Sequence, residues 1–173
     1  MPGAPVTQGG PFTVGVTATA TAIFARPNDA TQYTAGDVVS SSTTAAYPMV
    51  FPIARAPGIG GVIQSAVFID SVAAATKPDL ELYLFDRPVP MQQDNVAWNP
   101  TDTDVQNLVG VIAFPTGSFR TMGANGTITA TFLGMAFSCL PNDQNLYGIL
   151  VVRNAYTPTA LEVLEIRLQA LLD

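Results

Sequence analysis

One run near the N-terminus restricts the fold more than any other part of the chain. In "FTVGVTATATAIF", residues 12–24, apolar side chains alternate with residues that are mostly threonine. The apolar set is Phe12, Val14, Val16, Ala18, Ala20, Ala22 and Phe24. A period of two over this length indicates a β-strand with one buried face. The run is longer than a typical strand, so we expect a bend or bulge at Gly15.

Short apolar runs separated by Gly, Pro, Asn and Asp clusters fill most of the remaining chain. The candidate strands are "VVSSS", "GVIQSAVFIDS", "LELYLFD", "VGVIAF", "GTITATF", "MAFSC" and "LYGILVVRN". The segment "AYPMVFPIA" belongs at a sheet edge, because Pro48 and Pro52 cannot donate to a strand ladder. Eight to ten strands with many turns predict an all-β fold, an antiparallel two-sheet sandwich that is jelly-roll-like. We expect less than about one tenth of the residues in α-helix.

Two segments carry helical signals. Thr101 followed by Asp104 fits a capping box, which predicts a short helical turn there. The C-terminal "TALEVLEIRLQALLD" alternates as a strand does, yet its leucines also fit a helical stripe that Thr159 could cap. A strand is favoured for residues 160–172, because the rest of the chain is β.

The composition restricts the kind of partner. The 173 residues are 48% apolar and only 12% charged, about half the usual charged share of a soluble domain. So little surface charge suggests that a partner, or copies of the chain, cover much of the surface. The net charge of −6 and the lack of a basic run argue against nucleic acid as a partner. No stretch is apolar enough for a membrane span, and no secretory signal is evident.

The first 11 residues differ from the rest. "MPGAPVTQGGP" holds three prolines and three glycines, and it predicts an extended arm, residues 1–11, ahead of a single β-sandwich domain, residues 12–173. Such a segment buries too little apolar surface to fold alone, so we expect it to order on a neighbouring subunit. The candidate partner contacts are Ala4, Pro5, Val6 and Phe12.

The chain contains no histidine, which removes Ser-His-Asp and Cys-His catalysis and histidine-based metal sites. Asp37 stands near Ser40, Ser41 and Ser42, but these serines have no evident base. We therefore interpret Asp37 as turn chemistry, with Gly36 supplying a permissive backbone and Asp37 bonding to neighbouring amides. No catalytic residue, metal site or cofactor is predicted.

Weaker hypotheses concern the acidic residues and the single cysteine. A glycosidase would need two carboxylates and an aromatic platform, and Asp70, Asp86, Asp94, Asp102, Asp104 and Trp98 supply candidates. A solvated loop anchored by Trp98 is the simpler interpretation. "DNVAWNPTDTD" is oxygen-rich like a calcium loop, but its spacing does not match an EF-hand. Cys139 lies among apolar neighbours, which predicts a buried structural thiol.

The order of segments resembles a known group of proteins. "YTAGDVVS", "GVIQSAVFIDS", "LELYLFDRPV", "DNVAWNPTDTDVQNLVGVIAF" and "LYGILVVRNAYTPT" together are similar to small structural proteins of tailed bacteriophages, encoded near the capsid genes. The resemblance spans roughly residues 33–160 and consists of turn and strand patterns. It implies a non-enzymatic virion component, foremost a capsid decoration or cement protein, made in the host bacterial cytoplasm.

The resemblance also implies partners. These are the major capsid protein and further copies of the chain, in a homo-oligomer such as a trimer. The alternative is a host-binding or glycan-binding β-sandwich module of a phage head or tail fibre. Clustered exposed aromatic side chains would favour that alternative, and Trp98 and Tyr156 are the candidates.

Overall fold

The computed structural model describes residues 15–73 and 76–172, and 51% of them lie in strands and 4% in helix. The predictions of an all-β fold and of little helix are confirmed. The strands are β1 Val16–Ala25, β2 Val38–Val39, β3 Met49–Pro52, β4 Gly60–Asp70, β5 Leu80–Phe85, β6 Leu108–Phe114, β7 Arg120–Met122, β8 Asn125–Ser138, β9 Asn145–Val152 and β10 Val163–Leu172. One helical turn, α1 Asp102–Val105, precedes β6, and a 3₁₀ turn at Thr116–Ser118 follows it.

The strands form two antiparallel sheets. The first has the order β1-β10-β4-β8-β7, and the second has the order β2-β9-β5-β6, with β3 pairing β9 beside β2. If β2 and β3 count as one interrupted edge strand and β7 as an extension of β8, the described residues hold eight principal strands. Their order is 1-8-3-6 in one sheet and 2-7-4-5 in the other, the arrangement of a jelly roll. The predicted sandwich is therefore confirmed.

The C-terminal segment is a strand, as favoured. β10 lies inside the first sheet, hydrogen-bonded to β1 on one side and to β4 on the other. Its inward side chains are all buried and alternate with more exposed ones. The inward set is Leu164, Ile166, Leu168, Ala170 and Leu172. As a strand, β10 pairs its backbone groups with both neighbours, whereas a helix at this position would leave the facing sides of β1 and β4 without a partner.

The main core lies between the two sheets. β5 contributes Leu80, Leu82 and Leu84, which alternate along the strand, share one face and are all buried. β3 forms part of the edge of the second sheet and ends at Pro52, which confirms the edge placement of the proline-containing segment. No helix among the described residues is long and apolar enough to cross a membrane.

A second, smaller core covers the outer face of the second sheet. The chain between β5 and β6 crosses this face and buries Val38, Phe85, Val89, Ile149 and Val151. The segment around Trp98, expected to be a solvated loop, thus belongs to a packed cover over the second sheet. It ends in the predicted capping box: Thr101 Oγ1 accepts the amide of Asp104 at 3.2 Å, and Asp104 Oδ2 accepts the amide of Thr101 at 2.9 Å.

A bulge interrupts β8. The segments "GTITATF" and "MAFSC", expected as two strands, form one strand along β4. Ser65 pairs with Thr131 and Ile63 with Met135, so Gln64 alone lies opposite residues 132–134. Two backbones in the bulge have positive φ, Phe132 at 58° and Gly134 at 55°. For an aromatic residue this conformation costs about 1–2 kcal/mol.

Candidate interaction surface and buried polar cluster

Asp37 belongs to a tight turn. Its carboxylate Oδ2 accepts the amide of Thr34 at 2.6 Å and the hydroxyl of Thr34 at 2.8 Å. Gly36 has φ of 102°, which favours glycine. The turn interpretation is confirmed, and the carboxylate is committed to Thr34. Ser40 points its hydroxyl at the carbonyl of Ser42, 3.0 Å away.

A buried polar cluster lies at one end of the sandwich, and sequence reasoning missed it. Arg26 donates through Nη2 to Asp94 Oδ2 at 2.9 Å and through Nε to the Tyr33 hydroxyl at 2.6 Å. Asp94 Oδ1 also accepts the Tyr33 hydroxyl at 2.6 Å and the Ser40 amide at 2.8 Å. All four residues are buried. The cluster therefore ties the end of β1 and the β2 region to the cover over the second sheet.

The same arginine connects to the segment before β10. Arg26 Nη1 lies 3.7 Å from Glu162 Oε1, which accepts the Tyr156 hydroxyl at 2.6 Å. Tyr156 stacks on Tyr33, with ring centroids 5.6 Å apart and planes within 7°. Burial raises the pKa of both tyrosines well above the ordinary value, so both hydroxyls stay protonated donors. Each carboxylate in this cluster is occupied by fold-stabilising bonds.

Three of the glycosidase candidates are engaged in structural contacts. Asp94 is tied to Arg26, and Asp104 caps α1. Asp70 is buried, and desolvation raises its pKa to about 6, while its Oδ1 accepts the amide of Val72 at 2.9 Å. Within residues 15–73 and 76–172, no group of three or more His, Cys, Asp or Glu side chains could hold a metal ion. Asp70, Asp94 and Asp104 each make hydrogen bonds that serve the fold.

The aromatic residues behind the glycan-binding alternative are also separated. Trp98 packs edge-on against Tyr83, with centroids 4.5 Å apart, and against Phe85, at 6.1 Å. Tyr156 is buried against Tyr33 in the polar cluster. The two therefore do not form a shared exposed platform.

Cys139 is buried, as predicted. Burial raises the pKa of its thiol to about 11, which keeps the sulfur protonated at neutral pH. This environment is that of a structural thiol.

The candidate interaction surface is a groove at the open side of the sandwich. Among the described residues no strand pairs with the outer side of β1, and β2 and β3 form the facing edge of the second sheet. Between these edges lies a groove of about 400 Å³. Three large apolar side chains beside it are strongly exposed: Tyr47 at 81%, Ile23 at 61% and Val50 at 47%. None of the described residues lining the groove is charged.

The predicted arm, residues 1–11, precedes β1 in the sequence. Val16 opens β1 and pairs with Leu172, so the chain reaches the first sheet at its open strand. The candidate contacts Ala4, Pro5, Val6 and Phe12 lie outside the described residues, and so does the expected boundary between residues 11 and 12. The groove itself gave no sequence signal beyond the two prolines of the edge segment, because its residues come from five separate stretches of the chain.

Comparisons with known proteins give structural likenesses only. No model of a known protein family matches the sequence, and no curated protein matches it. One similar structure is the capsid asymmetric unit of cyanophage Pam1, with 12% identity, 98% of this chain and 94% of that chain covered, and a TM-score of 0.41. Vertex protein P5 of PRD1 has 16% identity, coverage of 92% and 99%, and a TM-score of 0.41.

A third similar structure is CBM86, a low-affinity xylan-binding module from Roseburia intestinalis. It has 14% identity, coverage of 92% and 97%, and a TM-score of 0.28. At these identities and TM-scores, none of the three likenesses carries a functional inference.

Proposed function

We propose that this chain is a non-enzymatic structural protein of a bacteriophage particle, a capsid decoration or cement protein that binds the assembled shell and stabilises it. The observation that carries the proposal is the uncharged groove at the open edge, with Tyr47, Ile23 and Val50 exposed beside it. Exposed apolar groups that cluster at a groove mark surfaces for association. The sequence resemblance to small phage structural proteins supplies the kind of partner, the major capsid protein.

The low charge of the chain supports association. Only 12% of its residues are charged, and the carboxylates that could serve hydrolysis are engaged in turns, caps and a buried ion pair. A surface with few charges loses little solvation when a partner covers it. Removing apolar area from water contributes roughly 25 cal/mol per Å².

A cement protein acts by mass action. It binds the assembled lattice better than free subunits, and this difference in affinity stabilises the shell. A modest contact at each copy is sufficient, because symmetry repeats it over the whole particle. We further propose that the arm, residues 1–11, extends this contact onto a neighbouring subunit through Ala4, Pro5 and Val6, with Phe12 at its base.

The test uses particles from a phage whose copy of this gene is deleted, mixed with purified full-length chain. The variant Ile23→Thr with Tyr47→Ser removes two apolar groups at the groove. We expect it to bind particles roughly tenfold or more weakly, since about 1.4 kcal/mol corresponds to a factor of ten. Met122→Ser is the matched control, because Met122 is 65% exposed on the β7 strand outside the groove. Equal binding by the groove variant, the control and the unmodified chain contradicts the proposal.

A further inference from the structure

Phe132 occupies an unusual place in β8. Strict alternation from Ile128 through Ala130 would direct Phe132 into the core. The bulge instead turns the backbone to positive φ at Phe132, and Leu133 and Met135 pack against the core. The phenylalanine ring is left 96% exposed. The chain thus adopts an unfavourable backbone conformation and gains no burial of the ring from its own fold.

The position of Phe132 makes its ring available to a partner. Past Thr127, no strand among the described residues pairs with the side of β8 that faces away from β4. The ring therefore stands on an open sheet edge, on a bulge fixed by pairing at Thr131 and Met135. A rigid, exposed aromatic side chain is the usual anchor of a protein interface.

A pocket that accepts such a ring lies on the other sheet of the same chain. It has a volume of about 250 Å³ and is lined by Tyr83, Phe85, Trp98, Pro100, Val105 and Leu108. An apolar cavity of roughly 150 Å³ already binds benzene, so one phenyl ring fits. The aromatic walls suit an edge-on or offset ring pair. The lining residues are all apolar or aromatic, so a phenyl ring in the pocket would displace water from apolar surface.

We propose that copies of this chain associate head to tail, with Phe132 of one copy inserted into the Tyr83–Trp98–Val105 pocket of the next. Ring and pocket are different surfaces, so the contact is heterologous and generates a closed ring or an open chain of copies. The contact is distinct from the groove between β1 and β3. The inferred contact adds to the proposed function by naming how copies of the chain meet. It rests on that function only in assuming that the copies assemble on a phage particle.

The first test measures the mass of the full-length chain by light scattering over a concentration series. Phe132→Gly is the chosen variant, because glycine adopts positive φ without penalty and the fold should melt no lower than the unmodified protein. We expect Phe132→Gly to weaken self-association roughly tenfold or more. Met122→Ser, at an exposed position of β7 that lines neither the groove nor the pocket, is the matched control and should associate as the unmodified chain does. A monomeric unmodified chain, or unchanged association of Phe132→Gly, overturns the inference.

The second test identifies the contact. Thr131→Cys, which keeps the Phe132 ring in place, and Asn99→Cys, beside Trp98 and Pro100 of the pocket, are prepared as separate proteins, mixed and mildly oxidised; both positions are exposed, and the native Cys139 is buried and does not compete. We expect disulfide-linked pairs between the two variants, well above those that Thr131→Cys forms alone or with Met122→Cys. If the yield of disulfide-linked pairs does not exceed that of these controls, the inference is overturned. Phage particles bound normally by Phe132→Gly would leave the proposed function standing, which separates the failure of one from the failure of the other.

Discussion

The buried pair of Arg26 and Asp94 predicts a large loss of stability on removal of one partner. Asp94→Ala leaves the Arg26 guanidinium buried, with the Tyr33 hydroxyl at 2.6 Å, carbonyl oxygens at 3.3 and 3.4 Å and Glu162 at 3.7 Å as its remaining acceptors. It also removes the acceptor of the Tyr33 hydroxyl and of the Ser40 amide. Breaking a buried pair typically costs roughly 3–5 kcal/mol, and because Glu162 compensates in part, we expect a loss of about 3 kcal/mol.

Urea unfolding followed by circular dichroism measures this loss. For a chain of this size we expect the thermal midpoint to fall by about 6–12 °C, at roughly 2–4 °C per kcal/mol. Asp86→Asn is the matched control, because Asp86 pairs with Arg87 on the surface, and it should leave both midpoints unchanged. A loss of less than about 1 kcal/mol in Asp94→Ala would refute the view that this cluster holds the cover on the second sheet.

Three further outcomes follow from the structure. Folded Asp70 holds its proton up to about pH 6, against an ordinary pKa of 3.8, so its stabilising contribution is complete below about pH 3 and is lost as the pH rises through 6. The advantage of Asp70→Asn in free energy of unfolding should therefore grow from near zero at about pH 3 to about 3 kcal/mol at about pH 7.5, and a constant difference would contradict this. Gly61→Ala would place a methyl group 2.3 Å from the Leu171 carbonyl oxygen, so urea unfolding should show a loss of about 2 kcal/mol or more, whereas Gly117→Ala, with nothing within 4 Å, should unfold as the unmodified chain does. Deleting residues 2–11 should leave the circular dichroism spectrum and midpoint unchanged but weaken particle binding; equal affinity would show that the arm makes no contact.

Local periodicity made the strands predictable. The spacing of Leu80, Leu82 and Leu84 indicates one buried face, because a strand presents alternate residues to the same side. The C-terminal segment could not be assigned from periodicity alone, because its leucines fit both a helix and a strand. Its pairing with β1 on one side and β4 on the other makes it a strand. The capping box at Thr101 could be predicted because all the groups that form it lie within four consecutive residues.

Features built from distant residues could not be predicted. Arg26 and Asp94 are 68 positions apart in the sequence, and nothing local to either residue indicates the other. The bulge at Phe132 depends on the pairing of β8 with Gln64 and its neighbours, so alternation alone would bury that ring. The candidate groove likewise exists only because the topology leaves β1 and β3 as facing edges.

The central claim is that this chain binds an assembled phage shell and stabilises it. The most direct test heats two sets of purified particles, from the parent phage and from a phage lacking this gene, and records the temperature at which DNA is released. The claim predicts a lower release temperature for the deletion particles, restored when purified full-length chain is added and saturating at a fixed number of copies per particle. Equal release temperatures, with the chain undetectable in parent particles, would contradict it.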